Sequence, residues 1–208
     1  MRSRERAAAL AAVVRAQLEP LVDPGYRALL ERVVPTEQAS LGVRVPDLRA
    51  CARAFALEHG LDLAAACATL DALCRAGSRE EVLFGIELVA RHRRAFTRAL
   101  WPRVRAWLDW TTCWETCDQL AMNVGGELLV RDRGLADELI ALAEAPGKWH
   151  RRFAISTASM LVRRGRADVA TVRRVCAAFS AERDRDVKKA LRSTLRQVGR
   201  REGEGPRR

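Results

Sequence analysis

The stretch Trp110 to Glu127 reads WTTCWETCDQLAMNVGGE, and it holds a carboxylate and an indole at helical spacing. Asp118 follows Trp114 by four positions, which on a helix places it one turn along and roughly 40° around. Cys113, Trp114, Cys117, Leu120, Ala121 and Val124 recur at helical intervals and define a buried stripe. Asp118 falls on the rim of that stripe, where a carboxylate costs desolvation energy unless something uses it. Its uses there are proton transfer or stabilisation of a developing positive charge. The plain alternatives are a helix carboxylate paired with a neighbouring arginine, and an indole packed in the core. Thr112 with Glu115 three residues later is a capping-box pattern, so the helix that positions both groups is expected to start at about Cys113.

The other tryptophans near this spot, Trp101, Trp107 and Trp110, are assigned to the core, and Trp149 to anchoring its own helix. Six cysteines (51, 67, 74, 113, 117, 176) form no C-x-x-C pair, and the three histidines are scattered, so no metal site and no cofactor are expected. Cys113 and Cys117 suit small buried hydrophobes.

Alanine, leucine and arginine dominate, glycines are few, and no β-branched alternating run occurs, so the chain is expected to be all-α. Its N-terminus is broken by charge, and no apolar run approaches the roughly 20 residues of a membrane span. A soluble, cytoplasmic protein with no membrane partner follows as the expectation. Helices are predicted over 3–18, from Asp23-Pro24 to Pro35, and from Pro46 to about Gly60, with 36–45 as a connector. From Asp62 the chain reads as helix pairs: 62–76 with 78–93, 97–109 with 113–125, 134–145 with 149–164, and 168–180 with 184–199. Equivalent starts lie about 33 to 38 residues apart, a period of α-solenoids. Gly77-Ser78, Pro146-Gly147 and Gly165 supply the breaks. Residues 1–199 are thus read as one repeat domain (N-terminal helices 1–60, repeats 62–199), with 200–208 a disordered basic tail.

The net charge is +11, and residues 148–208 hold 18 Lys/Arg against 6 Asp/Glu, or +12, while 1–147 hold 19 against 20. That asymmetry points to a polyanionic partner, most simply nucleic acid. On helix 149–164, Arg152, Ser156, Ser159 and Arg163 share a face. On helix 184–199, Arg185, Lys189, Arg192 and Arg196 lie opposite Val187, Leu191, Leu195 and Val198. Two such rows on adjacent second helices predict a groove for a phosphate backbone, to which Arg151 and Lys188 are also assigned.

Three motifs, GVRVPDLR (Gly42–Arg49), WETCD (Trp114–Asp118) and WHRRFAI (Trp149–Ile155), resemble AlkD-type bacterial DNA-alkylation-repair proteins in order and spacing, over roughly residues 24 to 199. The resemblance implies a right-handed superhelix of HEAT-like repeats whose basic concave face holds double-stranded DNA. It also implies a glycosylase that removes cationic N3- or N7-alkylpurines. By the same likeness Trp114 packs on the damaged nucleotide, Asp118 is the catalytic carboxylate and Arg152 contacts the DNA backbone near the lesion. One departure stands out: a second tryptophan of the family pattern aligns with Ser193. The chain also ends about one helical repeat sooner than that pattern.

An alkylated purine leaves without needing a proton, so one carboxylate suffices where glycosidases use two. Three functions follow: a glycosylase acting as a monomer through Asp118, a catalytically silent DNA-binding repeat protein, or a solenoid that holds an acidic peptide. Nucleoid association in a bacterial cytoplasm goes with the first two.

Overall fold

The computed structural model describes residues 2–163 and 168–203, which are helical with no strand among them. The turn expected at Gly165, and the last five positions of the expected tail, lie outside the described residues. No described helix is long and apolar enough to cross a membrane. The chain divides into two compact units, Met1–Ala95 with Trp110–Thr116, and Phe96–Asp109 with Cys117–Arg208.

The first unit contains α1 (Arg2–Leu18), α2 (Pro24–Val33), α3 (Val45–Glu58), α4 (Leu63–Ala76) and α5 (Arg79–Ala90), together with the first residues of α7 (Trp114–Leu120). Asp23 caps α2 through Tyr26 N, Asp62 caps α4 through Ala65 N, and Ser78 with Glu81 forms a complete capping box on α5. Phe55 and Phe84 meet edge-on with centroids 5.4 Å apart in its core. Gly85 lets α4 and α5 close up, because a Cβ there would stand 2.7 Å from Leu70 Cδ1.

The connector 36–45 is far more tightly held than a bare linker. Glu80, fully buried at the start of α5, accepts from Leu41 N at 2.9 Å and Gly42 N at 2.8 Å. Arg79, also fully buried, donates its backbone N–H to Ala39 O and its Nη2 to Glu80 Oε1. Gly42 takes a φ of 88° and sits where a Cβ would be 2.6 Å from Asp23 O. The glycine of the GVRV motif is therefore required by backbone geometry.

The capping box expected at Thr112 and Glu115 does not form. Thr112 Oγ1 bonds the Thr36 hydroxyl and donates to Gln38 Oε1, and the Glu115 carboxylate is taken by the Arg79 guanidinium. A buried cation outcompetes a backbone N–H for a carboxylate, and α7 starts at Trp114. Trp110, expected in the core, is 43% exposed. It lies past the end of α6 (Trp101–Leu108), in the turn before α7, off the stripe that buries Trp101 and Trp107.

In the second unit α6 and the rest of α7 are followed by a π-helical turn (Ala121–Gly125), α8 (Gly126–Arg131), α9 (Leu135–Ala141), α10 (Lys148–Arg163), α11 (Val169–Ala177) and α12 (Arg185–Gly203). The helix expected to stop at 125 thus runs on to Arg131 through the wider turn. Helix α10 is buried from Arg152 to Val162, on all its sides. Gly125 and Gly126 permit the contact: a Cβ on the first would stand 2.7 Å from Phe153 Cζ and Thr157 Oγ1, and on the second 2.5 Å from Met160 Cγ. The buried stripe of α12 is Val187, Ala190, Thr194 and Val198, and Leu195, expected inside, is 41% exposed. Leu195 lies roughly 95° off the axis of that stripe, and the smaller Ala190 and Thr194 let α12 approach α10 closely. Residues 200–203, assigned to the tail, continue α12.

Glu80→Ala removes one of the two carboxylates paired with buried Arg79 and the acceptor of two backbone N–H groups, so it should lower unfolding stability by about 3–5 kcal/mol. The same change at exposed Glu58 should stay within about 0.5 kcal/mol. Urea unfolding of the two variants checks the contrast.

Candidate functional site

In the second unit the residues of α7 and α10 that the sequence singles out come together. Asp118 is gripped end to end by Arg152, with Nε donating to Oδ1 at 2.9 Å and Nη2 to Oδ2 at 2.6 Å. Ser156, one turn further along α10, donates its hydroxyl to the same Oδ1 at 2.8 Å. The third nitrogen of Arg152, Nη1, donates to the main-chain oxygen of Asp186 in the first turn of α12, at 2.6 Å. A planar guanidinium with all three nitrogens engaged has one orientation, and it imposes that orientation on the carboxylate. Burial pulls the Arg152 pKa down, but the hydrogen bonds and charge of Asp118 outweigh it and raise the value, so this cation stays charged.

The pair is not sealed. The Arg152 side chain is 7% exposed and that of Asp118 20%, and both line a cleft of about 120 Å³. Across the cleft stand Lys189, Ser193 and Gln197, spaced one turn apart on the flank of α12. Arg163 closes one end, with Nε donating to Gln197 Oε1 at 2.9 Å. One carboxylate thus shares the cleft with three cations, Arg152, Arg163 and Lys189. Of the carboxylate's roughly four acceptor positions three are used, which leaves one on Oδ2 for a further donor.

The structure separates the predicted residues into groups. Arg185, Lys189, Arg192 and Arg196 are exposed on α12 and have no ion-pair partner among the described residues, and Lys188 is half-buried. Ser156 and Ser159 line the cleft but are mostly buried, and their hydroxyls are spent within the protein, Ser156 on Asp118 and Ser159 on Ser156 O. Arg151 is likewise committed: Nε donates to Glu182 at 2.7 Å, and Nη1 to the carbonyls of Ala145 and Pro146. The expected row on α10, Arg152, Ser156, Ser159 and Arg163, lines this cleft, with Arg163 exposed and the other three largely buried. Trp149 is half-buried, with Lys148 Nζ 4.5 Å from its ring centroid, and its carbonyl accepts from Cys117 Sγ.

Trp114 is placed with the first unit. It is 36% exposed, and its Nε1 donates to Val33 O at 3.3 Å, at the C-terminal end of α2. Sequence reasoning missed Gln197 and Met122, which line the cleft, and the backbone of Asp186, which holds Arg152. The i, i+4, i+8 spacing of Lys189, Ser193 and Gln197 was the available signal for the cleft wall. Among the described residues no group of His, Cys, Asp and Glu is arranged to hold a metal ion.

Asp118→Asn keeps the shape but removes the charge facing Arg152, and should cost about 1.5–3 kcal/mol of stability. Ser156→Ala, which deletes one neutral donor, should cost about 1 kcal/mol. Urea titrations of both proteins read the difference.

No curated protein matches this chain. A model of the family described as DNA alkylation repair enzyme matches residues 14–205, a span that takes in Glu80 and Glu115 of the first unit and the Asp118–Arg152 pair of the second. With a match over far more than half of its length, the chain belongs to the DNA alkylation repair enzyme family.

Proposed function

We propose that the protein is a monomeric DNA glycosylase that binds duplex DNA and hydrolyses the N-glycosidic bond of cationic N3- or N7-alkylpurines. The observation that carries this reading is a carboxylate held in one orientation at a cation-lined cleft, in a chain of a DNA alkylation repair family. A HEAT-like superhelix with a basic concave face is the architecture that goes with it, and a bacterial cytoplasm, on the nucleoid, is the location.

In this mechanism the positive purine is already a good leaving group, and Asp118 stabilises the oxocarbenium-like sugar that develops as it departs. Both oxygens of the carboxylate are held by the Arg152 guanidinium, so the work of Asp118 is electrostatic, with the open position on Oδ2 orienting the attacking water. Arg152 acts by holding Asp118, not by reaching the phosphates as the resemblance implies. Trp114, in the first unit, offers its exposed indole to a cationic nucleotide, worth roughly 0.5–2 kcal/mol. Backbone contacts fall to Arg163, Lys189, Arg185, Lys188, Arg192 and Arg196.

A second reading is a DNA-binding relative that excises nothing. Ser193 favours it: the position that the resemblance assigns to an aromatic is a small hydroxyl lining the Asp118 cleft.

Wild-type protein should release 7-methylguanine or 3-methyladenine from methylated duplex DNA, and Asp118→Asn should release neither while binding the same DNA. Equal release by both would remove Asp118 from the chemistry, and salt-sensitive binding without any release would establish the silent reading. Replacing Arg192 and Arg196 with glutamine should reduce the slope of log affinity against log salt by about 0.9 for each phosphate that is no longer neutralised.

A further inference from the structure

We propose that Arg79 and Glu115 are positioning residues for Trp114, and that the GVRV segment serves the same purpose from the other end of one buried ion chain. The inference rests on the reading of Trp114 as a DNA-facing side chain, and everything that carries it lies in the first unit.

Arg79 is fully buried, and its Nε has no hydrogen-bond partner among the described residues. Its charge is met by two carboxylates, Glu80 through Nη2 and Glu115 through Nη1. Glu80 also accepts from Leu41 N and Gly42 N. The chain Gly42–Glu80–Arg79–Glu115 therefore links two of the three motifs that the sequence analysis singles out. Arg49, also in GVRVPDLR, adds a favourable charge to Glu115 and binds Glu87 at 2.8 Å. Burial pushes the Glu115 carboxyl up, Arg79 pulls it down and the Glu80 charge raises it further, so the group is held against a real desolvation cost.

Glu115 is the residue immediately after Trp114. The preceding residue but one, Thr112, is tied to Thr36 and Gln38, and the indole itself donates to Val33 O. Cys113 packs with Leu30, Val34 and Tyr26. The exposed tryptophan is thus fixed on both chain sides and at its ring nitrogen. An exposed indole tethered so heavily is pre-organised for contact, because its ordering entropy is spent before a ligand arrives. A guanidinium buried between carboxylates is a poor way to gain stability alone, since apolar replacements often do as well. Its geometric precision is what an apolar cluster lacks.

The test uses the full chain with Glu115→Ala, Trp114→Ala and the double variant, plus Glu115→Gln, which retains an acceptor for Arg79. Affinity for methylated duplex DNA and single-turnover base release are read in a double-mutant cycle, and acrylamide quenching of Trp114 is read as the difference from Trp114→Phe. The double variant should be no more than about twofold worse than Trp114→Ala alone, the margin of additivity error. Glu115→Ala should also raise the accessibility of Trp114 to acrylamide, and Glu115→Gln should restore much of the wild-type value. Losses that multiply, or quenching unchanged in Glu115→Ala, would overturn the proposal. Should Glu115→Ala not fold, Glu115→Met, which fills the space but offers Arg79 no oxygen acceptor, takes its place in the cycle under the same two criteria. Absence of base release from wild type defeats the glycosylase reading only, because quenching and affinity still report on Trp114.

Discussion

The Arg152 guanidinium is the constraint on which the second unit depends. It lies on a helix buried along most of its length, and its five N–H groups are aimed by its planarity in fixed directions. One edge faces α7 and holds Asp118, while Nη1 takes the backbone at the start of α12. Three helices are thereby registered by a single side chain. Lysine would keep the charge and lose that registry, because an ammonium ion has no fork with which to bind both carboxylate oxygens.

The same physical strategy recurs in the first unit with the signs exchanged in emphasis. There two carboxylates, Glu80 and Glu115, converge on one guanidinium, and Glu81 binds the half-exposed Arg15 at 2.9 Å. Buried charge is expensive, and each unit keeps it where a motif residue has to be held in one place. In the first unit the network locks backbone that has no helical hydrogen-bonding partner, the Leu41–Gly42 amides, and in the second it docks on the Asp186 carbonyl in the first turn of α12.

Most helices were legible in the sequence, since their periodicity, prolines and capping residues are local signals. Asp23, Asp62 and Ser78 cap where local rules put them. Thr112 and Glu115 obey the same local rule and yet do not cap, because Arg79 lies 36 residues away in sequence and competes for the carboxylate. The Asp118–Arg152 pairing was present only as an alternative, that of a helix carboxylate paired with an arginine, and no spacing rule selects an arginine 34 positions away. The α10 row was legible as a row because its polar residues share a side, but its degree of burial was not. Polarity cannot say whether such a side meets water or another polar side chain. Likewise, Leu195 was expected inside while Ala190 is the residue buried, because small residues mark close helix contacts that a hydrophobicity pattern overlooks.

The π turn at Ala121–Gly125 separates Asp118 from the two glycines that seat against α10. Such a turn carries one residue more than a regular α-helical turn, and it resembles the scar of a single-residue insertion. Taking that residue out would re-phase the rod by about 100°. Either the carboxylate or the glycines would then meet α10, but not both. The phase difference between the carboxylate-bearing turn and its seat is thus written into chain length, and no side-chain substitution at either end can supply it.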